Sequence, residues 1–207
     1  MTSVTRRHRR RDPVSGDALM RRIIEYTLIS ADGGMDSPAA TSPGTNPTAS
    51  FLSFRDDAYL RDGLGLLHAC DAMLMGRTVY EQSSKLWPGR AGDHPWAARL
   101  NAMPKYVFSS KLERADWSNT TIVRGDVVAE AEKLKQQKGG DLVIWGHTRL
   151  AETLMRSRLT DILDLSIHPV LVSSGKRLVR EGQDISLKLV AVKTFSKIVK
   201  LTYEPQY

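Results

Sequence analysis

The sequence predicts an α/β fold: a mostly parallel sheet in a three-layer αβα arrangement, with an antiparallel hairpin at its C-terminal end. Short apolar, β-branched runs alternate with segments of helical periodicity from Arg22 to about Val170, the pattern of strands joined by crossover helices. The first run, Ile23 to Ile29, is apolar except at Glu25 and Thr27, which suits a strand covered on both faces. Near the end, Leu187 to Thr194 and Lys197 to Tyr203 alternate apolar with polar residues around Phe195-Ser196, a hairpin rather than another crossover.

Composition narrows the classes. A chain of 207 residues with 41% hydrophobic content can bury one continuous core. No apolar run approaches the roughly 18 residues of a membrane span, and the arginine-rich start lacks the apolar stretch of a secretory signal, so a cytoplasmic location is expected. Cys70 is the single cysteine; it has no metal-ligand companion, no metal site is expected, and it reads as a small buried residue. The net charge is +7, but residues 1 to 22 carry seven arginines against Asp12 and Asp17, which is +5 of that total. The remainder is nearly balanced, so residues 1–21 read as a basic disordered tail, residues 22–207 as the folded domain, and no specific nucleic-acid partner is expected.

In chain order, the first strand ends at Ser30-Ala31-Asp32-Gly33-Gly34, a loop signal, and periodicity returns only near Phe51. That proline-rich interval is expected to border a pocket. Phe54 to Cys70 has the spacing of an amphipathic helix with Asp56 and Asp57 in its first turn. Ala72 to Met75 reads as a strand turning through Gly76-Arg77-Thr78 into a helix. Lys85 to Asn101, with Trp87-Pro88-Gly89 and His94-Pro95-Trp96, reads as a surface loop with at most one helical turn. Lys105 to Ser109 and Thr120 to Val123 read as strands, and Asp126 opens a helix that stops at Gly139-Gly140. Asp141 to Trp145 is the next strand; Gly146 opens a helix carrying Leu150, Leu154 and Met155, and Ile162 to Val170 returns as a strand, making a right-handed βαβ unit.

In such sheets ligands sit beyond the carboxyl ends of the strands. Four polar or glycine-containing turns fall there: Ser30 to Gly34, Gly76 to Thr78, Ser109 to Lys111, and Trp145 to Arg149. Two of them open helices, whose free N–H groups and positive dipole ends favour phosphates. Together they fit a phosphorylated dinucleotide.

These residues carry a resemblance. Ser30-Ala31-Asp32-Gly33, Leu74 through Glu81, Tyr106 through Ser110, Asp141 through Gly146, and Leu159-Thr160-Asp161 through His168-Pro169-Val170 to Gly175-Lys176-Arg177-Leu178 resemble, in order and spacing, the reductases of dihydrofolate-reductase-like fold. The nearer branch is the reductase half of the riboflavin-biosynthesis deaminase-reductase, and the resemblance spans about Arg22 to Glu204. It implies NADPH as cofactor, with Gly76, Arg77 and Thr78 gripping the pyrophosphate region and Ser109 and Ser110 forming the 2′-phosphate loop. It further implies that Trp145, Gly146, His147, Thr148, Arg149 and Leu150 form the cofactor turn, that Leu28 and Ala31 lie beside the nicotinamide, and that Tyr26 and Ser166 face the substrate. The chain departs from the family at Trp145-Gly146-His147, where consecutive glycines or a glycine-serine pair are common. The deaminase half needs a zinc site that one cysteine rules out.

The implied chemistry is hydride transfer from the nicotinamide to an unsaturated C=N or C=O carbon of a small pteridine- or pyrimidine-like heterocycle or carbonyl compound. Asp57 is the first candidate for handling the proton and Asp32 its rival. A small-molecule substrate and a homodimer paired through the C-terminal strands are the expected partners. Two other classes remain open: a catalytically silent binding protein with the same fold, and a polyanion binder led by the arginine tail.

Overall fold

The computed structural model describes residues 20–35, 51, 53–90, 92, 94–172, 177–178 and 184–207. Most of the expected tail and of the proline-rich interval lie outside those residues. The described strands form one eight-stranded sheet in the order β4-β3-β2-β5-β1-β6-β8-β7. They are β1 (Ile23–Ser30), β2 (Cys70–Gly76), β3 (Lys105–Phe108), β4 (Thr120–Val123), β5 (Asp141–Trp145), β6 (Ile162–His168), β7 (Ser186–Thr194) and β8 (Val199–Gln206). β1 to β6 are mutually parallel, while β8 runs antiparallel to β6 and to β7. β5 and β6 are not neighbours; both pair with β1, which slots between them.

Alternation along the strands sorts side chains onto two faces. Ile24, Tyr26, Met73, Met75, Val107 and Val143 pack against α1 (Asp57–Ala69), α2 (Arg77–Leu86) and α3 (Pro95–Ala102) through Tyr59, Leu67, Tyr80, Trp96 and Leu100. On the other face Ile23, Ala72, Leu74, Leu142 and Ile144 meet α4 (Val127–Gln136) and α5 (Arg149–Arg156) through Ala131, Leu134, Leu150, Ala151 and Leu154. β1 is buried at every position except Leu28, which is half-buried, as its apolar run requires.

Lys85 to Asn101 departs from the expectation of a surface loop. A 3₁₀ turn at Pro88–Arg90 is followed by the full helix α3, whose Trp96, Ala97 and Leu100 are buried. Pro95 sits in its first turn and the His94 ring accepts from the Trp96 amide, an N-terminal cap made by a residue outside the usual capping set. Cations close two helix ends. Arg99 donates to the carbonyls of Leu67 and Cys70 at the end of α1, and buried Lys105 donates to those of Leu100, Asn101 and Met103 at the end of α3. Arg21 also belongs to the folded domain: it is buried, its Nε donates to the Gly140 carbonyl at 2.6 Å, and its amide donates to Lys135.

Candidate functional site

The parallel register brings the carboxyl ends of β1 to β6 to one edge, so the four turns singled out in the sequence share a rim. Tyr26 pairs with Trp145 across β1 and β5, and Gly76 with Phe108 across β2 and β3. Helix starts along this fold differ in one respect. Asp56, His94 and Asp126 cap α1, α3 and α4 with side-chain acceptors. α2 and α5 begin at Gly76 and Thr148 with no side-chain cap, so their first-turn amides have neither a cap nor an intrahelical acceptor. Among the described residues, a Cβ built on Gly76 or Gly146 meets nothing within 4 Å. Gly146 also requires glycine for its backbone, at φ +78, and its amide is tied to the Tyr26 carbonyl at 2.8 Å. The Thr148 hydroxyl oxygen is buried without a partner among the described residues.

The remaining turns are pinned from within. Ser30 donates to Asp32 at 2.6 Å, and the Gly34 amide returns a bond to the Ser30 hydroxyl. A Cβ at Gly34 would collide with Val172 and Ser30. The Ser30 hydroxyl, followed by the Val172 amide, holds the Asp32 carboxyl below its ordinary range, and Arg177 donates to the Asp32 carbonyl. Ala31 is exposed beside it. Ser109 Oγ accepts from the amides of Lys111 and Leu112, which leaves its own proton free to donate outward. Ser110 is exposed, and Arg124 clasps this loop by donating to the carbonyls of Ser110 and Leu112 at 3.2 and 2.7 Å. Arg124 escaped the sequence reading, although a basic residue directly after β4 at this edge was the available signal. Arg77 is half-exposed and paired with Glu81 at 2.9 Å, a surface pair weak enough to yield to a phosphate.

The structure divides the expected cofactor turn by role. Leu150 is a core residue of the α4/α5 face, so only its backbone faces the rim; Arg149 is exposed. The Trp145 indole turns to the α1/α3 face, 5.3 Å from the Trp96 ring, 6.3 Å from Trp87 and 6.1 Å from Tyr26. His147 turns the opposite way, where its Nδ1 lies 2.7 Å from Oε1 of the fully buried Glu25.

Beneath the rim, on the α1 face, lies a buried polar cluster. The Tyr26 and Tyr59 hydroxyls share a short hydrogen bond. Burial pushes the Tyr26 phenol up to about 12 and raises that of Tyr59 as well. Ser166 and His168, on β6, are completely buried; the Ser166 hydroxyl lies against the two phenols, and His168 Nε2 has no partner among the described residues. The His168 ring packs edge-on to Phe51 at 4.8 Å and Tyr59 at 5.9 Å. Its Nδ1 lies 3.0 Å from the Ser166 carbonyl, which only accepts, so Nδ1 carries the proton and Nε2 offers a lone pair. Burial lowers its pKa to about 4. The charge of Arg55 reaches Tyr26, Tyr59 and His168 alike, and its Nε is buried without a partner among the described residues. Below Tyr26 the Lys200 ammonium pairs with Asp62 at 2.6 Å and Asp164 at 2.8 Å, 5.7 Å from the Tyr26 ring centroid. Asp57 is exposed on the first turn of α1, and the cluster is built without it. Tyr26 and Ser166 thus share one buried cluster with Tyr59, His168 and Arg55.

Two helix starts without a side-chain cap lie at one sheet edge, and the architecture is that of the dihydrofolate-reductase-like α/β proteins. The chain belongs to the RibD C-terminal domain family, whose family model matches residues 21–201. Among curated proteins it is similar to YyaP of Bacillus subtilis (strain 168), 28% identical over 88% of this chain and 94% of that one. It is also similar to YwjB of the same organism, 27% identical over 88% and 97% of the two chains. A Shewanella sp. PV-4 protein of known structure superposes with a TM-score of 0.64 at 16% identity, covering 90% of this chain and 99% of that one. The deaminase/5-amino-6-(5-phosphoribosylamino)uracil reductase of Thermotoga maritima superposes with a TM-score of 0.62 at 10% identity. The match covers 90% of this chain but only 57% of the Thermotoga protein. These structural likenesses concern the fold.

Proposed function

We propose that the protein is an NADPH-dependent reductase that delivers a hydride to an unsaturated carbon of a small heterocyclic or carbonyl substrate. The observation that carries this reading is the pair of uncapped helix starts at Gly76 and Thr148, side by side with the Ser109–Arg124 loop on one rim. The amides at Gly76 to Thr78 and at His147, Arg149 and Leu150, with the Thr148 hydroxyl, would hold the diphosphate, and Ser109, Ser110 and Arg124 the 2′-phosphate. Leu28 and Ala31, at the end of β1, would border the nicotinamide ring. When bound, the coenzyme supplies the hydride.

The chain's own part is alignment and a proton. As negative charge develops on the substrate heteroatom, the Tyr26–Tyr59 pair is placed to donate, since both phenols remain protonated at neutral pH and the Arg55 charge lies close by. Ser166 and His168, beside the phenols on β6, would complete the polar surface that the substrate meets. Family membership supports the reaction class, and the buried cluster favours the phenols over Asp57 and Asp32 as the proton source. The protein is further proposed to act as a homodimer, because β7 exposes Leu187, Leu189 and Val192 beside β8.

Thermal shift with NADPH, NADH and no ligand tests the reading. Saturation at 100 times the dissociation constant adds about 2.7 kcal/mol of stability. NADPH is expected to raise the midpoint clearly more than NADH, and Arg124→Ala to shrink the difference between the two coenzymes. Absence of any shift with NADPH would favour the silent binding protein instead.

A further inference from the structure

We propose that the β7–β8 hairpin couples the pairing of two copies of this chain to the buried polar cluster: a second copy covers its apolar face, and the Asp56 carboxylate passes the resulting order to Tyr59. This rests on the homodimer reading above. β7 and β8 stay in register except at Val190, an extra residue between Leu189, opposite Tyr203, and Ala191, opposite Thr202. That bulge keeps Leu187, Leu189 and Val192 on one face with Val199, and sends both lysines of β7 to the other. The first face holds four of the nine large apolar side chains that are exposed among the described residues, and no charged residue of either strand lies on it. A surface of that kind has nothing to steer a charged partner, whereas an identical copy matches it in polarity and closes the pair about a two-fold axis. β7 gains most from the cover. Its one neighbour in the sheet is β8, and every residue but Ala191 is exposed, which leaves a two-stranded ribbon with little burial of its own.

The opposite face and the turn of the hairpin reach the cluster. Lys193 pairs with Asp62 of α1, which also takes Lys200 at 2.6 Å. The Phe195 ring lies edge-on to Tyr59 at 5.3 Å. Asp56 joins the two elements: one carboxylate oxygen accepts from the Tyr59 amide at 2.8 Å as the cap of α1, and the other accepts from the Ser196 amide at 2.9 Å. Capping alone uses one of those oxygens. The second bond spans 140 positions of sequence and ties the first turn of α1 to the hairpin. A β7 that frays from β8 loosens Lys193 and Ser196 together, and with them the Tyr59 hydroxyl that bonds Tyr26. A second copy on the apolar face holds the hairpin closed, so dimerisation and order at Tyr59 favour each other.

The experiment is hydrogen exchange by mass spectrometry on the full chain across a dilution series whose dimer fraction is measured by sedimentation, repeated for Leu189→Lys with Val192→Lys and for Asp56→Asn. In the wild type, exchange in the first turn of α1 and in the Phe195-Ser196 turn should slow about tenfold from monomer to dimer, in step with the dimer fraction. The lysine variant should sediment as a monomer and keep the fast rate at every concentration. Asparagine still caps a helix but presents a single acceptor oxygen. Asp56→Asn should therefore pair like the wild type, while exchange at the start of α1 loses most of its dependence on the dimer fraction. A wild-type dimer whose α1 start exchanges as fast as that of the monomer, an Asp56→Asn with the full dependence, or a lysine variant that still pairs would overturn the coupling and leave the homodimer standing. A wild type that is monomeric at every concentration would overturn both. The wild-type series needs no substitution, so it decides if a variant fails to fold; a dimer too tight to dilute apart is compared with the lysine variant.

Discussion

His168 should make the protein acid-labile in a way one substitution removes. Its ring is completely buried, and burial, reinforced by the Arg55 charge, lowers its pKa from 6.5 to about 4 against the opposing pull of the Ser166 carbonyl. The folded value lies below the unfolded one. Between those two values the unfolded chain therefore binds a proton that the native chain refuses, and stability falls as pH falls. Each pH unit of that interval is worth about 1.36 kcal/mol, so His168 accounts for about 3 kcal/mol lost between neutrality and pH 4. That is a large part of the roughly 5–15 kcal/mol that hold a domain together. Carboxylates titrate in the same range, so the measurement is a difference: urea unfolding of wild type and His168→Gln from pH 4 to pH 8. The gap between the two stability curves should be constant above pH 7 and close by about 3 kcal/mol in favour of the variant at pH 4. Curves that stay parallel throughout would refute the assignment of His168 as a buried neutral imidazole.

Two glycines of α1 should respond oppositely to alanine. Gly65 has open space around its absent Cβ, and Gly65→Ala should raise stability by about 0.5–1 kcal/mol. At Gly63 the added carbon would lie 2.5 Å from the Trp96 ring, which is anchored to the Leu60 carbonyl at 3.0 Å. Gly63→Ala should therefore lose stability by about 1–3 kcal/mol in chemical denaturation despite its better helix propensity. Lys105, lowered by burial to about 8, should make stability rise with pH between 8 and 10.5, where only the unfolded chain holds its proton; Lys105→Met should abolish that rise and lower stability at neutral pH by leaving three carbonyls short of a donor. Sedimentation should find a dimer that Leu189→Lys with Val192→Lys converts to monomer.

Much of the fold was legible because strand and helix periodicities are written within a few residues. The buried run of β1, the turns at Gly76 and Gly146 and the hairpin of β7 and β8 all appear where local pattern places them. α3 was missed because it is only 8 residues long, follows a Trp-Pro-Gly turn and has a histidine as its N-cap, so Trp96 and Leu100 look like isolated residues until α1 is packed over them. The buried polar cluster was half legible. Tyr26 and Ser166 came with the resemblance, whereas Tyr59, Arg55 and His168 carry no local mark of their role.

By itself, the sequence determined which segments become strands and helices and which turns fall at strand ends, since those depend on side-chain alternation and on glycine, proline and capping residues close at hand. Only the tertiary structure decided that β1 lies between β5 and β6, that Tyr59 meets Tyr26 from 33 residues away, and that Glu25 faces His147. Strand order is chosen by how the two apolar faces are covered most completely, a property of the whole chain, and the contacts between distant polar residues follow from that order.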